Sequence, residues 1–216
     1  ARHGRCVRIP DFMAELIERI AFEARTDKRV DKRSGVSQRL PITVMENVVS
    51  NAERRAVTTG EVEIVPRIAD VYGALPAITG KLELEYEGEI VGGQAIAREL
   101  IRRAADETFR GRAGGAITDE IVMWFDAGGA LQVTDDVAAG VAVRGFEAVP
   151  GLVDLVELVA LAKPGDTAVT AAACELVLES LVARRKISRT DGGSYGRALE
   201  EKRRRPGQDY FGGLSA

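Results

Sequence analysis

The predicted fold and function depend most on one stretch, SGVSQRL at residues 34–40, and on the helical pattern that follows it. Ser37 can cap a helix, because its hydroxyl can accept a free N–H group of the first turn. Pro41 suits that turn, where a missing N–H costs little, and apolar residues then recur at helical spacing up to Gly60. The pattern predicts a helix with Arg39 at its start. There, a guanidinium can reach an anion held by another part of a protein.

A second stretch lies further along the chain, IADVYGALPAITGKLELEYEGE at residues 68–89. The two stretches together resemble the lid of AAA+ ATPases, in the branch of MoxR proteins and magnesium-chelatase ATPase subunits. The SGVSQRL motif resembles the second-sensor motif of that lid. The resemblance covers about residues 1–110 and implies an AAA+ lid-type helical bundle there.

The resemblance also implies a function. Arg39 would contact the γ-phosphate of ATP, and the intact protein would bind ATP and Mg²⁺. Hydrolysis would drive the remodelling of a partner protein or the insertion of a metal. Proteins of this branch form homo-oligomeric rings, usually hexamers, and work with a partner that carries a von Willebrand factor A-type domain. The expected location is the cytoplasm.

The nucleotide-binding core itself is not in this sequence. No Gly-x-x-x-x-Gly-Lys-[Ser/Thr] motif occurs, so the chain lacks a phosphate-cradling loop and its lysine. Residues 121–126, IVMWFD, superficially resemble a Walker B run, but no Glu follows the Asp. We therefore expect no catalytic residue in this chain. The resemblance to the AAA+ family implies a nucleotide-binding core upstream of Ala1, and a chain that is a fragment of a longer ATPase.

Periodicity and capping residues predict a mainly α-helical fold. A glycine-rich run at residues 111–115 predicts a boundary, with a second small and mostly helical unit in residues 111–216. Alternating residues at 81–89 favour an extended segment, with a helix as the alternative. Residues 187–216, rich in glycine and basic residues, are expected to be poorly ordered in part. Helices are predicted at residues 10–25, 37–60, 66–75, 94–109, 118–125, 134–143, 150–162 and 166–185, and a short strand at 131–133.

Several other polar residues are candidates for a binding site. Arg33 and Lys32 are interpreted as solvated loop charges. A row of glutamates could bind Mg²⁺, but a hard cation needs converging oxygens, so a solvated edge is the simpler interpretation. That row consists of Glu83, Glu85, Glu87 and Glu89.

Cysteine and histidine are scarce. Cys6 and Cys174 are expected to be free thiols, and His3 is the only histidine in the chain. Because this set is too small and too scattered to assemble a zinc site, no metal ligand is assigned.

Composition bounds the remaining function classes. The net charge of −3 argues against a dedicated nucleic-acid binder, and no apolar run is long enough to cross a membrane. Basic clusters at residues 184–189 and 202–205, with Tyr195, Tyr210 and Phe211 as stacking groups, leave nucleic-acid contact conceivable. The alternative to the ATPase hypothesis is a non-enzymatic helical interaction or regulatory module with a flexible basic tail.

Overall fold

A computed structural model describes residues 6–33 and 35–199, and the chain is mainly helical. Short strands complete the described part. The helices are α1 (Asp11–Thr26), α2 (Leu40–Thr59), α3 (Ile68–Gly73), α4 (Leu75–Thr79), α5 (Tyr86–Val91), α6 (Gly93–Ala113), α7 (Asp119–Asp126), α8 (Ala139–Phe146), α9 (Leu152–Leu158) and α10 (Thr167–Ala183). The strands are β1 (Cys6–Val7), β2 (Glu63–Ile64), β3 (Leu131–Gln132), β4 (Ile187–Arg189) and β5 (Ser194–Arg197).

Helix α6 organises the core, because it packs against both α1 and α10. Its apolar face, predicted from the sequence, is buried at Ile96, Leu100 and Ile101. Helix α10 is buried along most of its length, as expected of a helix that is hydrophobic all round. One apolar core runs from Phe12 in α1 to Tyr195 in β5.

The first two helices largely follow the sequence prediction. Pro10 precedes α1, whose predicted apolar face is buried. In α2, Pro41 lies in the first turn, and Gly60 ends the helix in the left-handed conformation at φ 78°. The predicted cap is wrong by two residues. Arg39 is the N-cap of α2, and the Ser37 hydroxyl accepts a hydrogen bond from the Arg39 N–H at 3.3 Å.

The helix predicted from residue 66 is interrupted. The chain forms α3, breaks at Ala74 and continues as α4, with Pro76 in its first turn. The two alternatives for residues 81–89 are each correct for one part. Leu82 and Leu84 form antiparallel bridges to Val36 and Val30, and the helix α5 then begins.

The glycine-rich run ends α6. The helix extends to Ala113, and Gly114 and Gly115 turn the chain with positive φ angles. The apolar core continues across this point. The division into two units therefore stays a prediction, although the turn lies where the sequence predicted it.

Two helices of the second half begin later than predicted, and one cap is confirmed. The helix expected from Thr134 begins only at Ala139, because the carbonyls of Thr134 and Val137 accept hydrogen bonds from the Arg67 guanidinium, both at 3.1 Å. Helix α9 begins after Gly151 rather than at residue 150 and ends at Leu158. Asp166 caps α10 as predicted, accepting from the Val169 N–H at 3.2 Å.

Strands that the sequence analysis did not predict form at residues 187–197, within the segment where poor order in part was expected. Strands β4 and β5 form an antiparallel hairpin, and β5 also pairs with β3, which gives the order β3-β5-β4. Tyr195 is buried because this hairpin packs onto the core. The part of the predicted tail at residues 200–216 lies outside the described residues. Strands β1 and β2 pair in parallel.

In the described part of the chain, no helix combines the length and the apolarity needed to cross a bilayer.

The central position of α6 can be tested with a pair of leucines. We expect Leu100→Ala to lower the free energy of unfolding by about 2–5 kcal/mol, because it opens a cavity in the packed core. The matched change Leu158→Ala, at a side chain that is 82% exposed, should cost less than about 0.5 kcal/mol. Urea denaturation of both variants measures this, and equal losses would contradict the assignment.

Candidate functional site

Arg39, the candidate sensor residue, lies exposed at the N-terminus of α2. Within residues 6–33 and 35–199, no carboxylate pairs with its guanidinium and no acceptor binds it. The positive end of a 20-residue helix disfavours an arginine, since both carry positive charge. The two together present an electropositive point that favours an anion.

The loop that carries Arg39 is held against the segment before α5. The Glu83 N–H donates to the Gly35 carbonyl at 2.9 Å, and the Ser37 N–H donates to the Lys81 carbonyl at 3.2 Å. Gly35 is required by space, because a Cβ atom there would lie 2.0 Å from the carbonyl oxygen of Asp31. These contacts fix the approach of the chain to α2.

Asp27 anchors the beginning of this loop. Its buried carboxylate accepts hydrogen bonds from the guanidinium groups of Arg29 at 2.8 Å and of Arg103 in α6 at 2.6 Å. The hydrogen bond from Arg29 is the main reason that the pKa of Asp27 lies well below its usual range. Arg29 also pairs with Glu99 of α6 at 2.7 Å. The loop is thereby tied to the central helix.

The other loop charges and the glutamate row do not form a site with Arg39. The Lys32 ammonium donates to the carbonyls of Arg25 and Asp27 at 3.3 and 3.2 Å, and Arg33 is exposed. The glutamate row is split between two elements. Glu83 and Glu85 precede α5, and Glu87 and Glu89 belong to it. Across the residues that the structure describes, no three or more His, Cys, Asp or Glu side chains are grouped as metal ligands.

Charged residues that sequence reasoning missed are buried between the two halves of the chain. Arg67 and Glu175 are fully buried, and the Arg67 Nε atom lies 3.4 Å from a carboxylate oxygen of Glu175. The other oxygen of Glu175 accepts from the Ala69 N–H at 2.8 Å. Burial raises the pKa of Glu175, and the charge of Arg67 opposes that rise. The sequence did contain one indication of this pair. An acidic residue within the apolar run of α10 is expected to be buried, and a buried charge needs a partner.

A second buried pair links α2 to α3. The Arg55 guanidinium lies 3.0 Å from Asp70 and 2.7 Å from Glu61. Asp70 also accepts from the Arg67 N–H at 2.8 Å and so caps α3. Glu61 accepts from the N–H of Ala139 at 2.8 Å, at the start of α8. These bonds connect the first half of the chain to the second.

Within the basic cluster at residues 184–189, Arg189 does not lie at the surface. Its side chain is nearly buried, with Nε 3.0 Å from a carboxylate oxygen of Glu179. Tyr72 also donates its hydroxyl to Glu179, at 2.8 Å, and Tyr195 donates to the same carboxylate. Burial, aided by the charge of Glu179, raises the pKa of both tyrosines. Tyr195 is therefore unavailable for stacking on a base.

Three smaller expectations can be placed in the fold. Cys6 is exposed, Cys174 is buried and both are free thiols, as predicted. Burial raises the pKa of the Cys174 thiol. Residues 121–126 belong to helix α7, which agrees with rejecting a Walker B strand there. His3, Tyr210, Phe211 and the basic residues 202–205 lie outside the described residues.

Comparison with known proteins places this chain in no family. No protein-family model, no curated protein and no solved structure matches it. The resemblance to MoxR-like AAA+ lids therefore remains a hypothesis that depends on residues 34–40 and 68–89.

The anchoring role of Asp27 leads to a pH-dependent prediction. At pH 7, Asp27→Asn should lower the free energy of unfolding by about 1–3 kcal/mol, because it weakens charge-assisted hydrogen bonds to two guanidinium groups. The pKa of Asp27 is lower in the folded protein than its unfolded value of about 3.9, so its contribution is complete above about pH 5. As the pH falls from about 4 towards the lower folded-state pKa, the contribution is lost progressively, so the difference between wild type and variant should be smaller at pH 3 than at pH 7.

Urea denaturation at pH 7, 5 and 3 measures this difference. The exposed Asp126→Asn is the matched control and should change stability by less than about 0.5 kcal/mol at each pH. A loss caused by Asp27→Asn that is as large at pH 3 as at pH 7 would contradict the assignment.

The buried pair of Arg67 and Glu175 predicts strong coupling. Glu175→Leu should destabilise the protein by about 3–5 kcal/mol, because it leaves the Arg67 guanidinium buried without a counter-charge. Adding Arg67→Met removes that charge, so the double variant should be more stable than Glu175→Leu alone. Thermal unfolding of the two single variants and the double variant closes the cycle. Strictly additive losses would show that the two side chains are not coupled.

Proposed function

We propose that this chain is the lid and C-terminal region of an AAA+ ATPase of the MoxR and magnesium-chelatase-like type. In this proposal Arg39 senses the γ-phosphate of ATP. The observation that carries the proposal is the exposed guanidinium at the N-terminus of α2, which has no counter-charge in the described part of the chain. The helix dipole disfavours a cation at this position, and an anion presented by another domain would offset that cost through charge-assisted hydrogen bonds.

The surroundings of Arg39 suit such a sensor. Its loop is paired with residues 81–85 and anchored through Asp27 to α6, so the backbone of Arg39 is held in place before any phosphate arrives. A backbone that is already ordered removes part of the entropic cost of binding, and the free Arg39 side chain is then all that must be ordered when it contacts a phosphate. The same connections would transmit contact with the phosphate to the helical core.

The remaining parts of the function belong to the intact protein in this proposal. ATP and Mg²⁺ would be held by an AAA+ core upstream of this chain, since the phosphate-binding motif is not in its sequence. The protein would act in the cytoplasm as a homo-oligomeric ring. A partner with a von Willebrand factor A-type domain would receive the work of hydrolysis, as remodelling or as metal insertion.

One observation favours the second candidate, a non-enzymatic interaction module. Helix α5 exposes Tyr86 and Ile90, one turn apart, with 76% and 70% of their surfaces accessible. Exposed apolar residues on one helix face are typical of protein-binding surfaces. The lid of an ATPase can also use such a face to bind a protein. The ATPase assay of Arg39 variants, described next, therefore distinguishes the two candidate functions.

The ATPase proposal predicts the effect of changing Arg39. In the full-length protein, Arg39→Ala should lower the rate of ATP turnover by about 10- to 150-fold, the equivalent of one charge-assisted hydrogen bond of about 1.5–3 kcal/mol. Arg39→Lys should restore little, because an ammonium on a flexible stem cannot reproduce the planar fork of a guanidinium. The 216-residue chain alone should neither bind ATP tightly nor hydrolyse it.

Steady-state ATPase assays test both statements, with circular dichroism to confirm folding. Arg54→Ala is the matched control, because Arg54 is an exposed arginine on the same helix and its nearest carboxylate is 3.8 Å away. Full activity in Arg39→Ala would remove the sensor assignment. Robust hydrolysis by the 216-residue chain would overturn the lid assignment as well.

A further inference from the structure

A cavity of about 340 Å³ lies between α3, the beginning of α6 and the turn that joins β4 to β5. It is separate in sequence and position from the Arg39 loop, none of whose residues line it. The side chains that matter for its chemistry are Tyr72, Arg98, Asp135, Arg189 and Asp191. Its volume is at the small end of the range for ligand pockets.

One wall of the cavity carries a nearly buried positive charge. The Arg189 guanidinium lies 3.8 Å from the centre of the Tyr72 ring, and its side chain is only 6% exposed. Glu179 balances this charge through Nε, but Nη1 of Arg189 has no hydrogen-bond partner in the part of the chain that the structure describes. Arg189 is thus a fixed, nearly buried cation beside the cavity.

Helix α6 adds two more guanidinium groups, Arg98 and Arg102, one turn apart. Arg98 lines the cavity, and its one ion pair among the described residues is with Asp191, at 3.4 Å. Arg102 has no ion pair within residues 6–33 and 35–199, and its buried Nε atom has no acceptor there. Burial raises the pKa of the Tyr72 hydroxyl, and the positive charge of Arg102 opposes that rise.

Three carboxylates lie near these three cations, but two of the three are exposed to water and neutralise the charge only weakly. Among the described residues, the buried carboxylate that pairs with Arg189 is Glu179. Asp135 and Asp191 lie on the rim, with side chains 55% and 78% exposed. Exposed ion pairs contribute little, so an incoming anion can displace Asp191 from Arg98 at small cost.

We propose that this cavity binds a small oxyanion, a phosphate or carboxylate group. Arg98 is the donor that contacts the anion, because its side chain is part of the cavity wall and its present partner is weakly held. Arg189 supplies positive charge from its nearly buried position in the cavity wall, where protein rather than water screens it, and Arg102 adds charge one turn along α6 from Arg98. Asp191 is a built-in competitor that occupies Arg98 while the cavity is empty.

Calorimetric titration of the 216-residue chain with inorganic phosphate and with malonate tests the proposal, at an ionic strength kept constant with chloride. We expect saturable binding of at least one of them at a single site. Arg98→Gln should weaken that binding by about tenfold or more, as expected for loss of a charge-assisted hydrogen bond. Asp191→Asn should strengthen it by roughly two- to fivefold, because the competitor is removed.

Arg144→Gln is the matched control, since it removes an equal charge from an exposed position on α8 and should leave the affinity unchanged. Tighter binding of phosphate would identify a phosphorylated ligand, and tighter binding of malonate a carboxylate ligand. Asp191 is exposed in a turn, so its variant remains informative even if Arg98→Gln unfolds. No saturable binding of either probe would overturn the proposal. So would equal losses in Arg98→Gln and Arg144→Gln, or a loss in Arg39→Ala while Arg98→Gln still binds.

Discussion

The buried ion pair between Arg67 and Glu175 is the constraint on which the arrangement of this protein depends. Both side chains are removed from water, and a charge in that position must be paired. The same guanidinium donates to the carbonyls of Thr134 and Val137, and the same carboxylate accepts from the N–H of Ala69. The start of α3, helix α10 and the segment before α8 must therefore meet at one point.

The Arg39 loop is connected to this buried ion pair through a few contacts made by α6 and α10. Helix α6 packs against α1 and α10, and its Arg103 holds the Asp27 carboxylate at the base of the loop. The loop then pairs with residues 81–85 before α2 begins. Although the Arg39 side chain is exposed, its backbone is therefore attached to the packed core and does not belong to a free loop. This arrangement is what a lid would need in order to convert contact with a phosphate into movement of a rigid body.

Much of the local structure could be predicted, because local signals decide it. The apolar face of α1, Pro41 in the first turn of α2, Gly60 at its end and Asp166 before α10 all lie as expected. One error was local, the shift of the α2 cap from Ser37 to Arg39, and another occurred where a distant group competes for the backbone. The segment from Thr134 stays non-helical because Arg67 takes its carbonyls. The candidate site was predicted to the extent that Arg39 begins α2, whereas the supports of its loop come from α6 and residues 81–85.

By itself the sequence determined the helical class, most helix positions and the place of Arg39 at a helix start, because periodicity and capping act over a few residues. Only the tertiary structure decided which charges are buried. Arg55, Arg67 and Arg189 look like surface residues in the sequence, and Glu175 joins Arg67 across more than a hundred positions. A charge can leave water only where a counter-charge and hydrogen-bond partners converge on it, and that convergence is a property of the packed chain.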